Sequence, residues 1–486
     1  MNNKLITNLL KGSISTSVGQ ISTIGFHFLS IMLMTRYMPK EDFGIYLLIL
    51  LVVHALKILS GLGLDLTLVK FVVNDDIAEN NKTFWVIVLV RFAQLMLISI
   101  LFYSLGKYLL PHLDQRLNDY IIYIPLIVIL MSYRELFFFL LQGLRQFKRY
   151  AVIQVLSAFT KFLLITAFLL WSGLSVTRLL YVEILTYFLS VIVQLVFIPR
   201  YFLKFSHWDS QMFNALLKFG IPLYLNNILT YARERISMIL IAAFLNPVSV
   251  AYFGVAQKLP EAFARMFKSF IIVYFPNLSK FFSEGKTREA RDLLNYSLIL
   301  STTVISALVL ISFLFKEEIV VLIFSEQYRD AATAFSILVL SFCFFAVSSL
   351  MGYSLVSAGY PAVPAKVNSV ITLLNFGLSV VLIPKYQYMG AVYAILMMNV
   401  SSLIFYSYYL KKIGIRVDQL QYFKPIFAAV VISAGVYIFS VESILLKILL
   451  IAVFTAFCWL YINEFRKMVD FGVKYVQKRA ERKKFA

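Results

Sequence analysis

The chain has 486 residues, 60% of them hydrophobic and 14% charged, with a net charge of +20 and a mean hydropathy of +0.82. Soluble domains are about 45–50% apolar, so a soluble enzyme or binding module is excluded as the main body of the chain. Cys343 and Cys458 are the only cysteines and both fall inside apolar runs, which leaves no disulfide framework and no Cys-based metal site.

Apolar runs of spanning length, about 20 residues, recur from end to end. In chain order they cover roughly 13–35, 43–72, 84–106, 120–141, 151–172, 178–198, 214–243, 248–275, 293–315, 331–357, 363–383, 389–410, 424–440 and 443–462. The sequence thus predicts an all-α polytopic membrane protein of about 14 transmembrane helices. Lysines and arginines cluster in every second gap. With the N-terminus placed in the cytoplasm, 27 basic residues fall on that side and 8 on the other, which by the positive-inside rule makes both termini cytoplasmic. Much of the net charge is therefore topology information, and a nucleic-acid partner is the poorer explanation.

The first run lies between Lys11 and Arg36 without a small-residue cleavage site, so it reads as a retained helix. The four histidines show no metal-ligand spacing and there is no glycine-rich phosphate loop, so neither a metal nor a nucleotide cofactor is expected. The longest gap, about 275–293, is too short for a soluble catalytic domain. The tail, residues 464–486, is basic with interspersed apolar residues, which fits either an amphipathic segment on an anionic leaflet or a solvated tail.

The chain also repeats itself. Met38-Pro39 before Phe43-Gly44-Ile45-Tyr46 is echoed by Asn246-Pro247 before Ala251-Tyr252-Phe253, a shift of 208 residues that also sets Lys57 on Arg265. Transporters are often built from such repeats. The expected organisation is an N-lobe, 1–205, with helices 1–6; a C-lobe, 206–411, with helices 7–12; two further helices in 412–463; and the tail.

Polar residues in the first helix, among them Gln20, Thr23 and His27, recur at spacings of three and four and so share one face. The second helix carries His54, Lys57 and Asp65, the seventh Asn226, Asn227, Thr230, Arg233 and Arg235, and the eighth Lys258, Glu261, Arg265 and Lys268. Charges at membrane depth usually face a bundle interior or a wet cavity. Across the first eight spans nine cations stand against five acids, which favours an anionic substrate. Lys57, Arg233, Arg235, Lys258 and Arg265 are the expected substrate-binding cations; Gln20, Thr23, Asn226, Asn227 and Thr230 are the expected polar lining. The ordinary alternatives are interhelical hydrogen bonding for the polar faces, core positions for His27 and His54, snorkelling for Arg91 and Lys268, and local pairs such as Arg134 with Glu135. Asp65, Glu183 and Glu261 could couple a proton or sodium ion, or serve as salt-bridge partners. Gly61-Leu62-Gly63, Pro222, Pro260 and Gly359-Tyr360-Pro361 mark places where helices could bend, and Pro260, among charges, is the expected hinge.

Phe43-Gly44-Ile45-Tyr46, Phe275-Pro276-Asn277-Leu278-Ser279, Ile323-Phe324-Ser325-Glu326-Gln327-Tyr328 and Leu382-Ile383-Pro384-Lys385-Tyr386 followed by Gly390-Ala391-Val392-Tyr393-Ala394 resemble the polysaccharide exporters. These are flippases of lipid-linked oligosaccharides within the multidrug, oligosaccharidyl-lipid and polysaccharide exporter superfamily. The chain departs from the family at Gln387, commonly glycine, and Val392, usually alanine. The resemblance implies a V-shaped pair of six-helix lobes and alternating access. It also implies export of an undecaprenyl-diphosphate-linked repeat unit across the bacterial cytoplasmic membrane for O-antigen, lipopolysaccharide or capsule-type glycans. Partners implied are the lipid-linked glycan, membrane lipids and a polymerase with chain-length proteins, with the transporter itself a monomer. A multidrug antiporter of the same superfamily is the nearest alternative, although it usually wants buried acids for cationic drugs. A membrane glycan polymerase or ligase is a second, and would resemble its class in a long external loop that this chain lacks.

Overall fold

The structure is a computed structural model that describes residues 3–72, 76–415, 417–439, 443–462 and 466, with side chains outside the description at 3–18, 273 and 437. Apart from Arg466, the basic tail lies outside the described residues, as do the side chains of Ser13 and Thr16.

The helices are α1 (Asn3–Tyr37), α2 (Lys40–Leu59), α3 (Leu64–Phe71), α4 (Ile77–Leu109), α5 (Tyr123–Gly143), α6 (Phe147–Ser172), α7 (Val176–Phe197), α8 (Ser210–Phe244), α9 (Pro247–Ser283), α10 (Thr287–Leu314), α11 (Lys316–Phe324), α12 (Ala332–Ser357), α13 (Ala362–Tyr386), α14 (Tyr388–Lys412), α15 (Gln419–Ile438) and α16 (Ile444–Tyr461). Among the described residues, ten helical segments are both long and apolar enough to cross a membrane. α1, α8, α9 and α15 have the length but are not among them. The first three are the helices whose polar faces the sequence singles out, and polar residues lower mean hydropathy. The chain is a multi-pass, all-α membrane protein.

Two expected boundaries change. The second run, 43–72, is not one helix: it breaks after Leu59 and resumes at Leu64. The connecting Leu62 and Gly63 have φ of 41° and 69°, a region open to glycine and costly for leucine. The expected long gap at 275–293 is almost wholly helical, because α9 runs through Pro276 to Ser283 and α10 begins at Thr287. α9 also runs without interruption through Pro260, so the helix break that the structure contains is at Gly61–Gly63.

By contact the chain divides into two compact units, Met1–Ala251 and Tyr252–Ala486, the division falling inside α9. α8 packs on α2 and α3 and so sits with the first unit, whereas the sequence reading places it with the second lobe. In the first unit, apolar residues of α3, α4, α5 and α8, including Leu68, Phe84, Leu136 and Leu216, form the core beside the α2–α3 break. Asp76 and Asp209 cap α4 and α8 by accepting from backbone N–H groups of the first turn, which is what short acidic side chains do at helix starts.

In the second unit α10, α12 and α14 pack through small polar residues. Ser297, Thr302, Ser306, Ser312, Ser336, Ser348 and Ser354 are all buried. Ser336 donates to the Ser312 carbonyl at 2.6 Å, and Asn399 Nδ2 donates to Ser341 Oγ at 2.8 Å. Without a hydrophobic drive between helices in lipid, small residues and such bonds supply the contact.

α13 turns into α14 through the single residue Gln387, at φ 55° and ψ −144°, and a Cβ at Gly390 would collide with the Leu382 backbone. This conformation is nearly reserved for glycine and costs another residue about 1–3 kcal/mol. Gln387→Gly is therefore expected to raise the unfolding midpoint of the detergent-solubilised protein, and Gly390→Ala to lower it. An unchanged midpoint for Gln387→Gly would show that the turn carries no strain.

Candidate functional site

The α2–α3 break brings together side chains that sequence distance separates. Lys57 lies in the last turn of α2 and Asp65 in the first turn of α3, each at the helix end whose partial charge suits it. Lys57 Nζ stands 3.9 Å from Asp65 Oδ2 and forms an ion pair with Glu135 of α5. Arg91 of α4, with no exposed surface, donates from Nη2 to Asp65 Oδ1 at 2.7 Å. Two cations and two carboxylates thus neutralise one another within four elements. The break itself is held by close backbone packing: a Cβ at Gly63 would collide with the Gly220 carbonyl of α8, and one at Gly220 would come within 2.7 Å of the Leu62 carbonyl.

A second network lies between α2, α6 and α7. Glu183, fully buried, accepts from Tyr46 Oη and is ion-paired with Lys161, whose Nζ is also 3.3 Å from Tyr46 Oη. Nearby, Arg134 donates from Nε to Ser190 Oγ at 3.3 Å, and its guanidinium lies over the rings of Phe138 and Tyr187, 4.9 and 5.3 Å from their centroids.

α8 closes on α2 through two tyrosines. Tyr224 Oη donates to the Leu59 carbonyl at 3.0 Å and Tyr231 Oη to the Leu51 carbonyl at 2.7 Å. Arg235 and Glu135 both act electrostatically on His54, whose Nδ1 lies 2.6 Å from the Leu50 carbonyl. Arg233, Asn227 and Thr230 are half-buried and Asn226 is exposed. In the second unit, α9 carries Lys258 and Glu261 half-buried, Arg265 exposed and Pro260 buried.

These placements sort the expected site residues. Lys57, Asp65 and Glu183 are brought into paired networks, so Lys57 is a neutralised cation. Thr23 is buried and donates to the Gly19 carbonyl at 2.8 Å, bonding back onto its own helix, while Gln20 is exposed. Two of the ordinary alternatives are corrected. Arg91 does not snorkel, because Asp65 gives it an internal partner. Glu135 pairs with Lys57 and not with Arg134, since neighbours in a helix point about 100° apart and cannot face each other. Tyr224 and Tyr231 spend their hydroxyls on carbonyls of the α2 backbone. The sequence reading missed Lys161 and Tyr46 as partners of Glu183. A tyrosine inside the Phe43-Gly44-Ile45-Tyr46 motif was the one available signal.

The motif now has a physical account. Phe43 is fully buried, a Cβ at Gly44 would collide with the Pro247 backbone, and Tyr46 bonds Glu183. Such an all-α, multi-pass architecture is that of a membrane transporter. Residues 9–282 match the model of the polysaccharide biosynthesis protein family, and residues 222–381 match the MatE model. The chain belongs to the polysaccharide biosynthesis protein family, within the superfamily of multidrug, oligosaccharidyl-lipid and polysaccharide exporters, and is a membrane transporter and not an enzyme.

Among curated relatives it is 21% identical over 412 residues to a probable low-salt glycan biosynthesis flippase, Agl15, of Haloferax volcanii, covering 83% of this chain and 84% of the relative. It is 22% identical over 237 residues to the capsular polysaccharide biosynthesis protein CapF of Staphylococcus aureus, covering 48% and 60%. In fold it is similar to the lipid II flippase MurJ in an inward closed conformation, with a TM-score of 0.70 at 15% identity over 93% of this chain and 99% of that one. It is also similar to an inward-facing multidrug transporter of the MATE family, with a TM-score of 0.68 at 13% identity over 83% and 98%.

Lys57 and Glu135 are half-buried, so removing one leaves the other charge poorly compensated, at a cost below the roughly 3–5 kcal/mol of a fully buried pair. Lys57→Glu should therefore lower both membrane abundance and thermal stability. The exchange of Lys57→Glu with Glu135→Lys should recover part of both, read by quantitative blotting and thermal unfolding. A double variant no better than Lys57→Glu alone would show that the two side chains do not act as a pair.

Proposed function

We propose that this protein is a flippase that moves lipid-linked oligosaccharide repeat units across the bacterial cytoplasmic membrane by alternating access. The substrate is an undecaprenyl-diphosphate-linked unit for a surface polysaccharide of the O-antigen or capsule kind. One observation carries this reading: the distribution of deep charge. In α2 to α7, four cations, Lys57, Arg91, Arg134 and Lys161, stand against three acids, Asp65, Glu135 and Glu183, and three of the four cations are paired with these acids. The larger excess falls on α8, with Arg233 and Arg235 against Glu234, and on α9, with Lys258, Arg265 and Lys268 against Glu261. A diphosphate suits such cations, arginine above all, because its planar fork can engage two oxygens at once.

The family and the names of its relatives support the glycan reading over a drug exporter, since the fold alone is shared by both. Asp65 and Glu183 are the acids available to couple a proton or sodium ion in the first unit and Glu261 in the second. If Asp65 or Glu183 serves, it must exchange its present cation partner during the cycle. Bending at Pro260 remains part of the proposal, although α9 is continuous there.

Arg265→Glu is expected to reduce surface polysaccharide more than tenfold at normal membrane abundance, since a charge-assisted bond contributes about 1.5–3 kcal/mol. Arg265→Lys should be milder, and Lys411→Glu nearly silent. Wild-type export by both Arg265→Glu and Arg233→Glu would remove the anion-binding role. Separately, reporter fusions at Ala486 and within 316–330 should read cytoplasmic and external positions. An external C-terminus would overturn the orientation drawn from the basic asymmetry.

A further inference from the structure

Between α1 and α6 lies a groove of about 600 Å³, lined by Gly19, Ser22 and Phe26 of α1 and by Lys148, Ala151, Val152, Val155, Leu156 and Phe159 of α6. The two helices run parallel in close register. A Cβ at Gly19 would come within 3.0 Å of Ala151 Cβ, and seven residues further along Phe26 meets Phe159 at 5.1 Å between ring centroids. Small residues thus thin the helix pair at one end and two aromatic rings fill it at the other. Lys148 stands at the thin end. Val152, Leu156 and Phe159 remain 52%, 43% and 37% exposed, although they belong to a helix that is apolar enough to span.

The charge at the mouth is one-sided. Arg145, Lys148 and Arg149 fall within five residues of the α5–α6 turn and are all exposed. None of the three forms an ion pair among the described residues, and residues 3–18 of the neighbouring α1 contain no acid. Arg149 is already engaged, donating to Gln146 Oε1 at 2.8 Å and to the Phe197 carbonyl at 3.2 Å. Among the described residues Lys148 makes no such bond, and it is the cation that lines the groove. From Lys148 to Phe159 the helix rises roughly 16 Å, about half of the roughly 30 Å hydrocarbon core and so the depth of one leaflet.

We propose that this groove is a binding site for one anionic phospholipid, with an acyl chain lying along Ala151, Val155 and Phe159 and the headgroup phosphate on Lys148. The occupant is anionic because the mouth offers cations and no acid. It is a two-chain membrane lipid and not the transported polyprenyl substrate because the groove is closed by Phe26 and Phe159 at the depth of a single leaflet. The site lies within the first unit and uses none of the residues assigned to substrate binding, so it is independent of the transport reading. A lipid held here would fill the space left by Gly19 and Ala151 and fix α1 against α6.

The test uses the full-length protein in nanodiscs containing phosphatidylglycerol and phosphatidylcholine, with a photoactivatable acyl-chain probe on either headgroup and mapping of the labelled peptides. The expected result is labelling of residues 19–26 and 148–159, stronger with the phosphatidylglycerol probe. Lys148→Gln should cut the preference for phosphatidylglycerol by about fivefold, the size of one basic residue's attraction to an anionic leaflet, while leaving phosphatidylcholine labelling in place. Val155→Trp, which fills the groove, should reduce labelling from both probes by about tenfold, with an unchanged elution profile showing that the protein is folded. Equal labelling by the two probes, or a Val155→Trp protein labelled like the wild type, would overturn the proposal. So would displacement of the label by undecaprenyl phosphate but not by excess phosphatidylglycerol, which would give the groove to the transported lipid.

Discussion

A charge placed at membrane depth must find a counter-charge or water, and the first unit is organised around that requirement. Insertion scales put about 2.5–3.5 kcal/mol on one lysine, arginine or aspartate at a helix centre. Seven such residues in α2 to α7 would prevent these helices from settling in lipid if each faced hydrocarbon. The fold answers by breaking one run at Gly61–Gly63, which turns Asp65 to meet Arg91 while Lys57, on the other side of the break, reaches Glu135. Glu183 is met in the same way by Lys161 and Tyr46.

That requirement also explains why glycine appears where it does. Gly63 and Gly220 let the α2–α3 break lie directly on α8, and Gly44 lets α2 touch the backbone at Pro247. Each contact leaves no room for a Cβ, so the close backbone approach and the polar bonds support each other. Tyr224 and Tyr231 add bonds from α8 to carbonyls of α2. In the second unit α10 and α12 pack closely through buried serines and threonines, and Lys447 of α16 pairs with Glu318 of α11.

The distinction between paired and excess charge matters for function. Counting cations over the first eight spans correctly identifies a positive surplus but assigns Lys57 to it, and Lys57 is neutralised by two carboxylates. The larger part of the surplus falls on α8 and α9. The ion pairs of α2 to α7 hold the scaffold in shape.

The sequence by itself determined the all-α, membrane-spanning class, the polar faces of α1, α8 and α9, and the family, because spanning length, helical period and short motifs are local properties of the chain. It also marked Gly61–Gly63 as a place to bend. Only the tertiary structure decided that Arg91 is an internal partner, that Glu135 answers Lys57 and not its neighbour Arg134, and that Tyr46 serves Glu183. It also decided that α8 rests on the first unit. Those outcomes depend on which helix faces stand side by side, and the spacing of residues along one helix gives their common face but not the helix that packs against it.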